Sequence, residues 1–204
     1  MFEAHGIDEG GIPDEGIGGH DEMWFAARDL AFGAGAHPEI DPPDNIGRPD
    51  TGERYLPEIA PDIEGLFSFI ANLLIIEFRA EIGFADTQLV LRTPDLFDDR
   101  RAQAELAAEI VGRIRVDEEI HVRSLNLYLG ELRNLTLRTV DGGRVRGAEL
   151  IDRFWSGMVR WASVDKPAFD IAEARIRIDR RISKHPEADR VRSEFAAVGD
   201  RDGH

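Results

Sequence analysis

The amino-acid sequence predicts an all-α protein, and three observations lead to this fold class. Residues 62–93 and 98–139 carry apolar side chains at steps of three and four residues, which is the spacing of one face of a helix. Residues 147–164 repeat this pattern over a shorter length. A strand-like alternation occurs at 174–178, where a single strand would find no partner. We therefore expect a bundle of helices, most simply four.

The N-terminal part of the chain is expected to lie outside this bundle. Residues 1–19 are acidic and glycine-rich and lack periodicity, which predicts a disordered tail. Residues 20–61 begin with a short helix at 21–32, capped by Asp21. Prolines in the loop that follows forbid a continuous helix, and a loop of this length suggests a role in covering a site or contacting a partner.

Residues 62–198 form the expected bundle domain, followed by a short tail at 199–204. An Asp-Gly-Gly turn at 141–143 is predicted to end the second long helix, and the Lys-Pro pair at 166–167 to end the third. The predicted architecture is a four-helix bundle with a proline-rich N-terminal extension. Its helices are predicted at 62–93, 98–139, 147–164, 168–184 and 186–198.

Composition excludes several classes of function. The chain has 40 acidic and 25 basic residues and a formal net charge of −15, which disfavours binding to nucleic acid or to an anionic membrane. The absence of cysteine excludes disulfides, iron–sulfur clusters and thiolate zinc sites. The sequence shows neither a secretory signal nor an apolar run long enough to span a bilayer, so we expect a cytoplasmic protein.

Ionisable side chains interrupt the apolar faces of both long helices. On the second helix, Glu118 and His121 fall within a stripe of apolar residues that also contains Tyr128. On the first helix, Glu77 is the one charge on the corresponding stripe. A carboxylate is costly to bury alone, so each of these groups must be protonated, paired with an opposite charge or bound to a metal ion.

Two interpretations of these residues stay open from the sequence. Glu118 and His121, spaced three residues apart, suit a metal ion held by oxygen and imidazole ligands, with Glu77 as a ligand from the neighbouring helix. Alternatively, Glu118 and His121 form a buried ion pair or a hydrogen-bonded core, and Glu77 pairs with an arginine. Without thiolates, the ligand types suit iron, manganese or zinc.

Glu77 on one helix and Asp117-Glu118-x-x-His121 on the next resemble the first half of the site in ferritin-like di-iron carboxylate proteins. The resemblance implies that Glu77 is a terminal ligand, that Glu118 bridges two metal ions and that His121 binds one of them. It also implies that Asp117 hydrogen-bonds a ligand histidine and fixes its tautomer. Glu81, one turn after Glu77, is expected to support the ligands from outside or to face solvent.

The full pattern of that family needs a second Glu-x-x-His, and this chain has none. Glu173 and Glu194 are weak candidates for a further carboxylate. Three outcomes follow: two chains pair their half sites across a two-fold axis, each chain holds a mononuclear or incomplete site, or the fold persists without metal. Symmetric pairing would supply every ligand twice and would give Asp117 the partner subunit's His121.

One functional hypothesis and one rival follow. The resemblance implies a non-haem protein that holds iron, with manganese as the second choice, and performs O₂-dependent oxidation as a homodimer or larger oligomer. Either iron itself or a small organic molecule would be oxidised, and Tyr128 would donate a hydrogen bond or take part in one-electron chemistry. The rival is a metal-free helical bundle acting as an interaction or scaffold protein. His20 and Glu22 could cap a site from outside, but we expect them to form a plain helix N-terminus.

Overall fold

The structure, a computed structural model, describes residues 2–37, 46–48 and 51–199. The chain divides into two compact units, Met1–Met158 and Val159–His204, whereas the sequence predicted one bundle domain over 62–198. The described part is mostly helical with one two-stranded sheet, in agreement with the all-α class. No helix in the described ranges is both long and apolar enough to cross a bilayer.

Most of the segment predicted as a disordered tail is folded. Helix α1 (Phe2–Gly10) leads through a short 3₁₀ turn at Pro13–Glu15 into helix α2 (His20–Phe32), and a backbone bridge pairs Ile12 with Ile17 between them. The prediction for residues 1–19 is therefore wrong where the structure describes them. Helix α2 itself confirms the short helix predicted at 21–32.

The glycines that suggested mobility allow close backbone contact instead. Gly11 has a φ of 68°, a left-handed conformation that favours glycine. A Cβ atom on Gly11 would collide with the carbonyl of Ile17, and one on Gly19 would collide with the carbonyl of Glu9. Glycine at these positions therefore lets the end of α1 lie directly against the start of α2.

The two long predicted helices form the centre of the first unit. Helix α3 (Pro61–Arg92) confirms the prediction at 62–93 within one residue, and helix α4 (Arg101–Arg133) packs along it. Helix α2 packs against α4 where alanines let the helices approach closely. The residues buried at this junction are Ala27, Ala31, Leu91, Ala107, Ala108 and Val111.

The loop before α3 is tied to the first turn of that helix. Its described residues, 33–37, 46–48 and 51–60, contain no helix. The prolines at 38, 42, 43 and 49, which we expected to prevent a helix, lie outside the described residues. The buried carboxylate of Glu64 pairs with Arg54 and accepts backbone hydrogen bonds from Tyr55 and Leu56 at 2.6 and 3.0 Å. Leu56 and Ile59 are thereby held in the core, with at most 1 % of their surface exposed.

The second long helix ends earlier than predicted, because the chain turns into a β-hairpin. Strand β1 (Thr136–Arg138) pairs antiparallel with strand β2 (Arg144–Arg146) around the predicted Asp-Gly-Gly turn. The turn prediction is confirmed, and the helical assignment of 134–139 is wrong. The three residues of each strand satisfy their backbone hydrogen bonds by pairing with the other strand. A strand of three residues is too short to show a periodic sequence pattern.

The remaining elements are helical. Helix α5 (Gly147–Arg160) buries Leu150, Phe154 and Met158 within the first unit. A π-helical turn at Trp161–Asp165 precedes helix α6 (Lys166–Ile182), and helix α7 (Ala188–Gly199) follows. Pro167 lies in the first turn of α6, where its missing N–H costs nothing, so the predicted break becomes a helix start. The strand-like stretch at 174–178 is helical, as its surrounding composition favoured.

Candidate metal centre

Four elements bring ionisable side chains to one buried place. Helix α3 contributes Glu77, and helix α4 contributes Glu118 and His121, each with at most 4 % of its surface exposed. Helix α4 begins only at Arg101, after two 3₁₀ turns, and this late start places Glu118 at the same height along the helix pair as Glu77. The structure therefore brings together the three residues that the sequence singled out as metal ligands.

His121 sits between the carboxylates of this cluster. Its Nδ1 atom lies 3.2 Å from Glu118 Oε2 and 3.9 Å from Glu77 Oε2, and its Nε2 atom lies 3.2 Å from Asp8 Oδ2 on α1. When Nε2–H donates to Asp8, Nδ1 is the nitrogen that faces the buried carboxylates; it lies within hydrogen-bond distance of Glu118, and a cation that binds there takes the place of the Nδ1 proton. Asp8 thus fixes the tautomer in which His121 can bind a cation.

His20, the first residue of α2, repeats this arrangement. Its Nδ1 atom lies 2.9 Å from Glu9 Oε1 and 3.4 Å from Glu118 Oε1, and its Nε2 atom lies 3.4 Å from Asp117 Oδ2. The side chain is 9 % exposed. His20 does begin a helix, as expected, but its imidazole also lies within reach of two carboxylates of the cluster, so the structure favours the alternative of a role at the site.

His5 of α1 completes the group and has nitrogen atoms without hydrogen bonds. Its ring stacks on that of His121, with centroids 3.9 Å apart and planes inclined by 8°. Nε2 lies 3.0 Å from Glu77 Oε1, yet among the described residues neither nitrogen of His5 has a hydrogen-bond partner in acceptable geometry, and the same holds for Nδ1 of His20. Buried polar atoms without hydrogen bonds are uncommon, and these nitrogens are free to bind a ligand.

The donor atoms fall into two groups of the size that a metal ion requires. One atom each from His5, Glu9, Glu77 and His121 lies within 4.8 Å of the others, and so does one atom each from Glu9, His20 and Glu118. Ligand atoms about 2.1 Å from one ion are separated by roughly 3 to 4 Å, so small side-chain movements suffice. The residues present therefore fit a metal ion held by carboxylates and imidazoles.

Burial and mutual contact shift the protonation of the two buried carboxylates in opposite directions. Burial, and then the negative charge of Glu118, raise the pKa of Glu77 far above the usual range of a carboxyl group. Burial alone would raise the pKa of Glu118 as well, but His121 and His20 outweigh it and hold that pKa below its usual range. Without a cation, Glu77 keeps a proton and Glu118 is ionised.

The imidazoles are also shifted away from their usual values. Burial, and then the nearby His121, lower the pKa of His5, so this ring is neutral and able to act as a ligand. Burial would lower the pKa of His20, but Glu118 and Glu9 outweigh it and raise that pKa to about 10. A positive His20 beside these two carboxylates stands where a cation would bind, and a metal ion has to displace its proton.

The other predicted site residues lie at different distances from this cluster. Asp117 is 41 % exposed and contacts His20 of its own chain. Glu81 accepts a hydrogen bond from Arg115 at 2.9 Å in a surface ion pair. The ring of Tyr128 stacks on Phe2 of α1, with centroids 5.9 Å apart. A catalytic role for Tyr128 stays a prediction, and in the described structure its ring contact is to the helix that carries His5.

Sequence reasoning missed the residues that α1 contributes, namely His5, Asp8 and Glu9, and gave His20 of α2 only a minor place. Two of the six histidines of the chain lie within its first 20 residues. His5 and Glu9 are four residues apart, so a helix places them on one face. That spacing could have identified His5 and Glu9 as a pair of ligands. The neighbouring glycines instead favoured the prediction of a disordered segment.

Comparison of the chain with models of protein families, with curated proteins and with solved structures gave no match.

Proposed function

We propose that this protein binds iron at the cluster and carries out O₂-dependent oxidation, with Fe²⁺ itself as the substrate. One observation supports this most directly: carboxylates and imidazoles converge in a buried place, and both nitrogens of His5 and Nδ1 of His20 lack hydrogen-bond partners in acceptable geometry among the described residues. Oxygen and imidazole ligands without thiolate suit non-haem iron, and manganese is the second choice.

The partly exposed carboxylates of the cluster favour a cation over an organic molecule as the substrate. The side chains of Asp8, Glu9 and Asp117 are 45, 43 and 41 % exposed, and each contacts a buried imidazole. Exposed carboxylates at an opening raise the local concentration of cations and speed their entry. We therefore favour oxidation of iron over oxygenation of an organic molecule.

The reaction balances with O₂ as the electron acceptor. Two Fe²⁺ ions lose one electron each, and O₂ takes up both electrons and two protons to leave as hydrogen peroxide. The residues of the chain bind and orient: Glu77 and Glu118 supply negative charge that favours the ferric product, while Asp8 and Asp117 keep protons on the outward nitrogens of His121 and His20. Glu9, whose side chain is 43 % exposed, is placed to receive an incoming ion.

A ferritin-like four-helix bundle formed by two copies of the chain belongs to the same proposal. Helices α3 and α4 provide two antiparallel helices, and a second copy would provide two more. Both helices keep large apolar side chains exposed at helical spacing, with Ile82 and Leu89 on α3 and Ile120 and Leu127 on α4 between 56 and 70 % exposed. Exposed apolar surface of this kind favours an interface with another subunit.

Oxygen uptake tests the proposed function. We expect the protein, given Fe²⁺ anaerobically and then mixed with O₂, to consume about one O₂ for every two Fe²⁺ without any organic additive. Glu118→Ala and His121→Ala should slow this uptake at least about tenfold. Glu119→Ala, at an exposed neighbour of Glu118, should leave it unchanged.

Other results would favour other functions. Uptake that requires an added organic molecule would favour an oxygenase. A protein purified from iron-supplemented medium with less than about 0.2 iron per chain would favour the metal-free scaffold, provided that Glu118→Ala and His121→Ala alter stability alone.

A further inference from the structure

Glu9 lies between the two groups of donor atoms and belongs to both. Its Oε1 atom is 2.9 Å from Nδ1 of His20 and 3.6 Å from Nδ1 of His121. Each imidazole presents Nδ1 to this carboxylate and directs Nε2 outward to an aspartate. A carboxylate that faces two inward ring nitrogens from one side is placed to bind two cations at once.

We propose that Glu9 bridges two divalent cations within a single chain, with His5, Glu77 and His121 around one cation and His20 and Glu118 around the other. Helix α1 thereby completes a dinuclear centre in cis. This inference rests on the proposed function and specifies the ligands and the stoichiometry of its site.

Two imidazoles, each held by an aspartate from another element, support two positions. His121 on α4 is held by Asp8 on α1, and His20 on α2 is held by Asp117 on α4. Each position therefore has an imidazole that an aspartate orients. A carboxylate that accepts the second N–H is the usual support of a metal-binding histidine. The chain lacks a second Glu-x-x-His, and α1 with the start of α2 supplies imidazole and carboxylate in its place.

The additional imidazole of His5 supports the first position independently. His5 is 7 % exposed and both its nitrogens lack hydrogen bonds among the described residues. Its Nε2 atom lies 3.0 Å from Glu77 Oε1, so a cation shared by these atoms would satisfy both. A side chain placed only for packing would not leave two polar atoms without well-aligned hydrogen bonds at this depth.

The turn between α1 and α2 fixes Glu9 where the bridge requires it. Gly19 immediately precedes His20, and its backbone lies so close to the carbonyl of Glu9 that an added Cβ atom would collide with it. His20 and Glu9 are therefore positioned by the same close approach of two backbone segments. Since the ligands on α1 and α2 and those on α3 and α4 belong to one chain, a partner subunit is not required to complete the centre.

Titration with Co²⁺ under anaerobic conditions tests this arrangement, because the visible absorption of Co²⁺ reports its ligands. We expect about two Co²⁺ per chain for the unaltered protein and about one for His5→Ala and for His20→Ala. Glu9→Gln should weaken both positions at least about tenfold, and Glu9→Asp should recover part of the affinity. Glu3→Gln, at an exposed residue of the same helix, should behave like the unaltered protein.

The outcomes separate this inference from the proposed function. Two Co²⁺ bound to Glu9→Gln with unaltered affinity, or one Co²⁺ bound to the unaltered protein, would overturn the bridge and leave iron binding in place. Absence of any binding to the unaltered protein would overturn both. Mixing Glu9→Gln chains with Glu77→Gln chains should restore no site if completion is in cis, and restoration would show that α1 acts on a partner subunit.

Discussion

Asp117 and His20 are 97 residues apart in the chain, yet Oδ2 of the first lies 3.4 Å from Nε2 of the second. The sequence led us to expect that Asp117 orients a ligand histidine, supplied by a partner subunit. In the structure it contacts a histidine of its own chain instead. This contact joins α2 to α4 at the rim of the cluster and leaves Nδ1 of His20 facing Glu9 and Glu118.

Asp117→Asn should weaken metal binding without removing any ligand. The amide can still contact His20, but it lacks the negative charge that favours a proton on Nε2 and a free lone pair on Nδ1. We expect roughly 10- to 100-fold weaker binding at one of the two positions, measured by isothermal titration with Co²⁺. Asp14→Asn, on the 3₁₀ turn between α1 and α2 and exposed, is the control, and an equal effect of both variants would refute the assigned role.

Gly19→Ala should lower metal affinity through the backbone. The added methyl group would collide with the carbonyl of Glu9 and push α1 away from α2. We expect at least about tenfold weaker binding, because small displacements of ligands are costly at a metal site. Gly6→Ala is the matched control on α1, since a Cβ atom there meets nothing within 4 Å, and its affinity should be unchanged. Normal affinity of Gly19→Ala would show that the approach of α1 is not needed.

Glu77→Gln should stabilise the protein when metal is removed by a chelator. Glu77 and Glu118 are two adjacent carboxyl groups that are 3 and 2 % exposed. Burial and the charge of Glu118 raise the pKa of Glu77 in the folded chain, so folding at pH 7.5 requires Glu77 to take up a proton, and a neutral amide removes this cost. We expect a gain of about 1 kcal/mol in the free energy of unfolding at pH 7.5, together with loss of metal binding. Glu81→Gln, in a surface ion pair, should change stability by less than about 1 kcal/mol. A clear loss of stability in chelated Glu77→Gln would indicate a structural role.

Glu64→Gln should destabilise the fold in a pH-dependent manner, independently of metal. Burial would raise the pKa of Glu64, but Arg54 and the backbone amides of Leu56 and Tyr55 outweigh it and lower that pKa. A lowered pKa in the folded state adds stability above the usual carboxyl pKa, and this stability is lost as the pH falls through the folded value.

Urea unfolding of Glu64→Gln and the unaltered protein measures this effect. The variant should be less stable by about 1 to 3 kcal/mol at pH 7, and the difference should shrink towards about pH 4. Glu53→Gln, at an exposed residue of the same loop, should show little change. A difference that stays constant with pH would mean that the charge of Glu64 does not hold the loop.

The long helices and their ligands could be predicted from the sequence because each depends on a pattern within one element. The apolar periodicity located α3 within one residue, and the charges that interrupt it identified Glu77, Glu118 and His121. The end of α4 could not be placed, because a three-residue strand is formed by pairing with β2 and has no periodicity of its own.

The contribution of α1 could not be predicted because it depends on contacts distant in sequence. Gly11 and Gly19 suggest mobility when only composition is considered, and their role appears once the backbones of α1 and α2 are adjacent. His20 is the first residue of an ordinary amphipathic helix, and its partners Glu9 and Asp117 lie on two other elements. Tertiary packing therefore decided the part of the site that local patterns left incomplete.

Anomalous diffraction at the iron absorption edge, from crystals of the protein loaded anaerobically with Fe²⁺, tests the central claim most directly. We expect anomalous density within bonding distance of Glu77, Glu118 and His121, with Glu9 contacting the same density. Crystals in which these side chains are ordered and no anomalous density lies among them would contradict it.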